Sequence, residues 1–176
     1  MIVGFIGVGN IGLPMAFKIV EAGYSLMVYD LSRASAAPLL EVGATWADSP
    51  AELAMQCDVI CTCLPGPAEM EQVALGDSGV VEGIKPGSIY IDHTTNSPEL
   101  VKKAGQSLSV KKSFMIDAPV MGDRKSIQQG ILTFYVGGEF EIFKKVEKIL
   151  YSIGNEVVFV GELGSGSITK ISINAL

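Results

Sequence analysis

Basic residues are in short supply: 13 Lys and Arg stand against 19 Asp and Glu, a formal net charge of −6. A chain of that balance is repelled by phosphate backbones and anionic headgroups, so neither nucleic acid nor a membrane surface is an expected partner. Nowhere do 18 apolar residues run together, which removes a membrane-spanning helix. A basic leader is missing too: strand-like sequence opens at residue 2, so no signal or transit peptide is expected and the chain reads as cytoplasmic. Histidine occurs once, His93, and the three cysteines, Cys57, Cys61 and Cys63, fall within seven residues. Cys61 and Cys63 would share a strand face, yet nothing beside them completes a ligand set. They read as small core residues in a reducing compartment, and no metal is expected. Charge is sparse, at 18% of residues against 48% hydrophobic, which suggests a face that packs against something further.

What the chain does have is glycine, 20 in 176 residues, and three of them carry the argument. Residues 2–6 form a short apolar run of the kind buried on both faces of a sheet. Gly7, Gly9 and Gly12 follow at once as G-x-G-x-x-G, and residues 13–20 then show helical spacing, with Gly23 placed to end the helix. In a strand–turn–helix unit Gly7 permits the tight turn, Gly9 lets backbone approach a pyrophosphate, and Gly12 lets helix pack on strand. The first amides of the helix and its dipole then face the phosphates. A second strand at 26–30 ends in Asp30, an acid placed to accept hydrogen bonds from the adenosine ribose.

Further along, Ser32 can cap a helix to about residue 41, which Pro38 should kink or shorten. Ser49-Pro50-Ala51-Glu52 is a capping box that predicts a helix over 50–56. Strands are predicted at 44–46, 58–64, 88–92, 113–116, 131–136 and 157–160. Helices are predicted at 68–75, near 79–83, at 97–109 and at 139–153, and a last one begins at Gly164. Such alternation predicts an α/β fold of Rossmann type, a doubly wound, mostly parallel sheet with helices on both faces.

Ligands of open α/β sheets bind beyond the carboxyl ends of the strands. The segments to inspect are therefore Gly7-Val8-Gly9-Asn10-Ile11-Gly12, Asp30-Leu31-Ser32-Arg33, Leu64 to Glu69, Asp92 to Asn96, Asp117 to Lys125 and the closing helix. Leu64, Pro65 and Thr95 are candidate walls for the nicotinamide riboside. His93 has no nameable partner and reads as structural. Gly166, Lys170 and Asn174 stand four apart and form one helical stripe. With Ile168, Ile171, Ile173 and Leu176 around that stripe, much of the helix should be buried, and a lysine there is an active-site candidate.

Together these stretches resemble the β-hydroxyacid dehydrogenase family, which includes 3-hydroxyisobutyrate dehydrogenase and relatives of 6-phosphogluconate dehydrogenase. The matching stretches are Gly4 to Ala16, Cys63-Leu-Pro65, Asp92-His-Thr-Thr95, Asp117-Ala-Pro-Val120, Gly130-Ile-Leu-Thr133 with Gly137-Gly138, and Gly164 to Asn174. The resemblance implies oxidation of a β-hydroxy acid, or reduction of the matching semialdehyde or keto acid, with a nicotinamide cofactor. Lys170 matches the catalytic lysine and Asn174 a substrate-contacting asparagine, while Leu64, Pro65, Glu69 and Thr95 match cofactor contacts. The family's substrate loop reads Val-Ser-Gly-Gly. Here it is Val120-Met121-Gly122-Asp123 followed by Arg124 and Lys125, so Met121, Gly122 and Arg124 become the candidate contacts to a small anionic hydroxy acid or semialdehyde.

Residues 1–163 are expected to be the dinucleotide-binding domain and 164–176 the start of an interdomain helix. A helical second domain would follow in a longer enzyme, a homodimer or tetramer. NAD is the expected cofactor because Asp30 would oppose a 2′-phosphate, with NADP possible through Arg33. Two other readings are an NADP-dependent reductase of glyoxylate or succinic semialdehyde, and a non-catalytic binding module, which would be expected to lack the lysine.

Overall fold

A computed structural model describes all of residues 1–176. Its backbone alternates strand and helix from β1 (Ile2–Ile6), α1 (Gly12–Glu21), β2 (Ser25–Tyr29), α2 (Arg33–Glu41) and β3 (Thr45–Trp46) through α3 (Pro50–Gln56) to β4 (Val59–Thr62). It continues with α4 (Pro67–Leu75), α5 (Val80–Gly83), β5 (Ile89–Asp92), α6 (Pro98–Val110) and β6 (Phe114–Asp117). The last third holds β7 (Val120–Met121), α7 (Arg124–Gln128), β8 (Thr133–Gly137), α8 (Phe140–Ile153), β9 (Glu156–Gly161) and α9 (Ser165–Asn174).

The nine strands form one sheet in the order β3-β2-β1-β4-β5-β6-β8-β7, with β9 paired to β8. From β3 to β6 every neighbour is parallel; β8 reverses, antiparallel to β6 and β7, and then takes β9 in parallel. The Rossmann-type sheet is thus mostly parallel, as expected. Successive strand residues feed opposite faces. Val3, Phe5, Val59, Cys61, Ile89, Ile91 and Ile116 pack beneath α1 and α8, whereas Ile6, Ile60, Tyr90 and Met115 pack beneath α3, α4 and α6. Gly4 breaks the run because Leu53 and Cys57 fill the space its Cβ would need.

The caps work largely as the sequence suggests. Ser49 accepts from the Glu52 amide at 3.0 Å, and Glu52 reaches back to the Asp48 amide at 2.6 Å, one residue earlier than a standard capping box. Ser97 caps α6 through the Leu100 amide. Three expectations change. Ser32 occupies the N-cap of α2 but makes no side-chain cap, and the helix runs through Pro38 without being shortened. The strand predicted at 131–136 starts only at Thr133, because Gly130 at φ +69° and Ile131 still belong to the turn after α7. Finally, α9 is not buried: Ile168, Ile171 and Ile173 are 49%, 47% and 36% exposed, and Leu176 is fully exposed. Apolar residues at 168, 171, 173 and 176 do not mark an inward face here, since only Gly166 and Ser167 are buried against β6 and β8.

Candidate active site

The carboxyl edge of the sheet opens into a cavity of about 770 Å³, within the range of small-molecule and cofactor sites. One end is made of backbone. Gly7 sits at φ +91°, donates its amide to the Tyr29 carbonyl at 3.0 Å, and has no room for a Cβ beside the Cys63 carbonyl. A Cβ at Gly12 would collide with the Gly7 carbonyl, so the turn and the opening of α1 need glycine at both positions. Gly9 differs: no heavy atom of the protein lies within 4 Å of where its Cβ would be, and that space belongs to the cavity. The start of α1 carries no side-chain cap; Leu13 donates to the Gly9 carbonyl and Pro14 has no N–H, so the amides left to a ligand are those of Asn10, Ile11 and Gly12. This chemistry fits a dinucleotide pyrophosphate.

Asp30 links the turn to β2. One carboxylate oxygen accepts from the Val8 amide and the other from the Ser32 amide, each at 2.9 Å, and each keeps a lone pair for a further donor. Three acids, Asp30, Glu69 and Asp77, line the cavity, and its single cation is Lys170 at the far end. Arg33 is not in the lining; its guanidinium lies 5.4 Å from the centre of the Trp46 ring.

The other end is made of side chains drawn from distant segments. Lys170 is half-buried, and its ammonium donates to the Thr95 hydroxyl at 2.6 Å and to the Val120 carbonyl at 2.7 Å. Burial lowers its pKa below the ordinary lysine value. Two acids in register at the ends of β5 and β6, Asp92 and Asp117, organise what touches it. Asp92 is buried and accepts from the Thr62 hydroxyl, the Thr94 amide and the Asn96 side chain, fixing the turn that carries Thr95. Asp117 accepts from the Gly164 and Ser167 amides at the head of α9. Burial raises both carboxyls above the usual range, against the pull of those hydrogen bonds.

His93 lies between the two ends. It is buried, bonded through Nδ1 to the Ala118 carbonyl at 2.8 Å, and packed near Phe5 and Phe134. Nε2 has no partner, and burial brings the ring down to about 4, so it is neutral at physiological pH. That agrees with a structural reading. Burial likewise pushes the thiols of Cys57 and Cys63 up to about 12 and that of Cys61 higher, so none is a thiolate nucleophile.

Of the residues singled out from sequence, Gly7, Gly9, Asn10, Ile11, Gly12, Asp30, Leu31, Leu64, Pro65, Glu69, Thr95, Gly122 and Lys170 all line this one cavity. Val8 lies buried behind the turn and contributes only its amide to Asp30. Ser32 and Arg33 stand outside the lining, as do Met121 on β7, exposed Arg124 on α7 and Asn174 on the exposed last turn of α9. Tyr29, Gln72 and Asp77 line the cavity without having been named from sequence, as do Cys63 and Val120, which lay in named stretches but were given no role in the site. Tyr29 and Cys63 could have been found, each being adjacent to a chosen strand end. Gln72 was within reach too, one turn beyond Glu69 on a predicted helix. Asp77 and the Val120 carbonyl carry no local signal.

Residues 2–161 match the sequence model of the NAD binding domain of 6-phosphogluconate dehydrogenase. The mouse mitochondrial 3-hydroxyisobutyrate dehydrogenase is 37% identical over 174 residues, 99% of this chain and 52% of that protein. The 2-(hydroxymethyl)glutarate dehydrogenase of Eubacterium barkeri is 33% identical over 99% of this chain and 58% of its own length. Among solved structures, a 3-hydroxyisobutyrate dehydrogenase from Salmonella typhimurium superposes with a TM-score of 0.91 at 29% identity, covering 98% of this chain and 61% of that one. The chain spans about half the length of the curated relatives it matches.

Proposed function

The chain belongs to the family of the NAD-binding domain of 6-phosphogluconate dehydrogenase, among the β-hydroxyacid dehydrogenases, and on that premise we propose that it is the cofactor half of an oxidoreductase. Its substrate in this reading is a small β-hydroxy acid or the corresponding semialdehyde, and its cofactor is NAD. The observation that carries the proposal is the Lys170 ammonium, held at the cavity by Thr95 and Val120.

The bound nicotinamide would accept or supply the hydride. The glycine turn, with the amides of Asn10, Ile11 and Gly12 unpartnered, would hold the pyrophosphate, and Asp30 the adenosine ribose. Lys170 would handle the proton. Two of its N–H groups are committed to Thr95 and to the Val120 carbonyl, which can only accept. The remaining position faces the substrate. As an ammonium it donates a third N–H to a carbonyl oxygen and polarises it; as a neutral amine it presents a lone pair to the hydroxyl proton. Its lowered pKa makes the neutral form more accessible than for a surface lysine. The acidic lining around Asp30, with Arg33 drawn onto Trp46, favours NAD over a cofactor carrying a 2′-phosphate.

A helical second domain belongs to the same proposal. It would cover Ile168, Ile171 and Ile173, exclude water from the site, and make the dimer or tetramer contact. Asn174, Gly122, Met121 and Arg124 would meet the substrate from that side. Assay of the longer protein with NAD⁺ and a panel of 3-hydroxyisobutyrate, L-serine and 2-(hydroxymethyl)glutarate tests the reading, with NADPH and glyoxylate or succinic semialdehyde in parallel. Reduction of NAD⁺ by one of the hydroxy acids is expected. Turnover only with NADPH and the aldehydes would favour the reductase alternative, and no turnover with any of them would reject both.

A further inference from the structure

An ordinary helix is capped by the side chain of its own N-cap residue. In α9 that position is Gly164, at φ +97°, which has no side chain to offer. The capping acceptor comes instead from Asp117, 47 residues earlier in the chain and across the sheet edge. Its two oxygens take the Gly164 amide at 2.8 Å and the Ser167 amide at 2.7 Å. The carboxylate is 1% exposed, so these bonds are not shared with water.

Room for the clamp is made by glycine. A Cβ on Gly137 would strike one Asp117 oxygen, and a Cβ on Gly166 would come within 2.7 Å of the Asp117 carbonyl and 3.1 Å of the other oxygen. Three residues after Asp117, the same segment offers the Val120 carbonyl to Lys170. Segment 117–120 therefore grips α9 twice, at its first turn and at the lysine tip. Ser167 and Lys170 are one helical turn apart, so any rotation of the first turn is carried to the ammonium. Elsewhere the helix rests on the β6 and β8 backbone at Gly166, while Ile168 and Ile171 on its flank are exposed.

We propose that Asp117 is the positioning residue of the site: by capping α9 from β6 it sets where the Lys170 ammonium stands, without touching substrate or cofactor. The inference rests on the role of Lys170 proposed above, and its test separates the two. In Asp117→Asn the shape is kept, but one of the two amides meets an NH₂ group instead of an acceptor. In the 176-residue chain, hydrogen exchange at Gly164 and Ser167 should quicken about tenfold or more while the amides of β1 and β2 keep their protection. The Lys170 ammonium, followed by NMR, should titrate closer to the ordinary value of 10.5, and NADH affinity should stay within about twofold. Gly166→Ala, whose methyl would strike the Tyr135 and Asp117 carbonyls and so lift the head of α9 off β8 and β6, should quicken the same two amides and move Lys170 in the same direction.

In the longer enzyme, kcat should fall about tenfold or more in Asp117→Asn with the KM for NAD⁺ unchanged. Unaltered exchange and unaltered Lys170 titration in both variants would overturn the proposal. So would protection lost throughout the sheet together with NADH binding, which would make Asp117 a core residue and nothing more. Wild-type protein that oxidises none of the panel would remove the dehydrogenase reading alone, and the exchange and titration results would still decide on Asp117.

Discussion

The two ends of the cavity are made of different material. At the glycine end the ligand-facing groups are amides and empty space, set by a turn of five residues between β1 and α1. At the lysine end they are an ammonium, a hydroxyl and a carbonyl, with Thr95 and Val120 lying 75 and 50 residues before Lys170. A backbone site holds its ligand through fixed dipoles and excludes side chains; a side-chain site performs proton transfer and depends on long-range packing. The two ends should therefore fail separately, and each prediction tests that separation.

The largest effect is expected from Lys170→Met, which keeps length and apolar packing but removes both charge and proton. In the longer enzyme kcat should drop roughly 10²–10⁴-fold, the usual range for a positioned acid–base group, while NADH affinity persists. Near-normal kcat would take the proton role away from Lys170, and loss of NADH binding in step with kcat would show the two ends to be one unit.

Next in size is the response to acid of the residue between them. Above pH 6.5 His93 is neutral whether folded or unfolded. Below that, the unfolded chain takes up a proton that the folded one resists until about pH 4, so stability is lost as pH falls through this window. The difference between those values corresponds to about 3 kcal/mol, to order of magnitude. Asp92 and Asp117, held above 3.8 by burial, act in the opposite sense, gaining relative stability as they protonate. Subtracting the pH profile of denaturant unfolding for His93→Asn from that of the wild type isolates the histidine. A flat difference between pH 6.5 and 4 would count against a buried neutral ring.

A smaller effect, confined to the glycine end, is expected from Gly9→Ala. The added methyl meets no protein atom, so the melting temperature should hardly move. It occupies cofactor space, and overpacking of about 1–3 kcal/mol would weaken NADH by roughly 5- to 150-fold. Equal loss of stability and affinity would show that the space at Gly9 is not a ligand cradle.

Smallest is the choice between cofactors. Asp30 against a 2′-phosphate costs on the order of 1 kcal/mol, so NAD should bind about tenfold tighter than NADP by calorimetric titration. Equal or tighter NADP binding would mean that Arg33 leaves Trp46 for the phosphate.

The same division explains what could be read from the sequence. Gly7, Gly9, Gly12 and Asp30 act within one strand–turn–helix–strand unit, where each residue's task follows from its neighbours. The capping box at Ser49 and the strand ends at Leu64 and Thr95 are local in the same sense. Lys170 stood out because it follows a glycine by one turn, but the apolar residues beside it suggested burial that the fold does not provide. β7 has two residues and α7 five, too few for any periodicity, so the turn carrying Gly122 and Arg124 could not be shaped in advance. Asp117 gave no local sign of its task either, because both amides it caps lie 47 to 50 residues away.

The cap borrowed from β6 also bears on the order in which the protein assembles. The β1–α1–β2 unit needs only short loop closures and can form early. The head of α9 can settle only after Asp117 is fixed in the sheet and β8 has joined it, since Gly137 of β8 and Gly166 of α9 crowd the same carboxylate. Long closures come late because their entropy must be met before any contact rewards them. A chain caught partway through folding would then hold its nucleotide loop while its lysine still moves freely, binding before it can react.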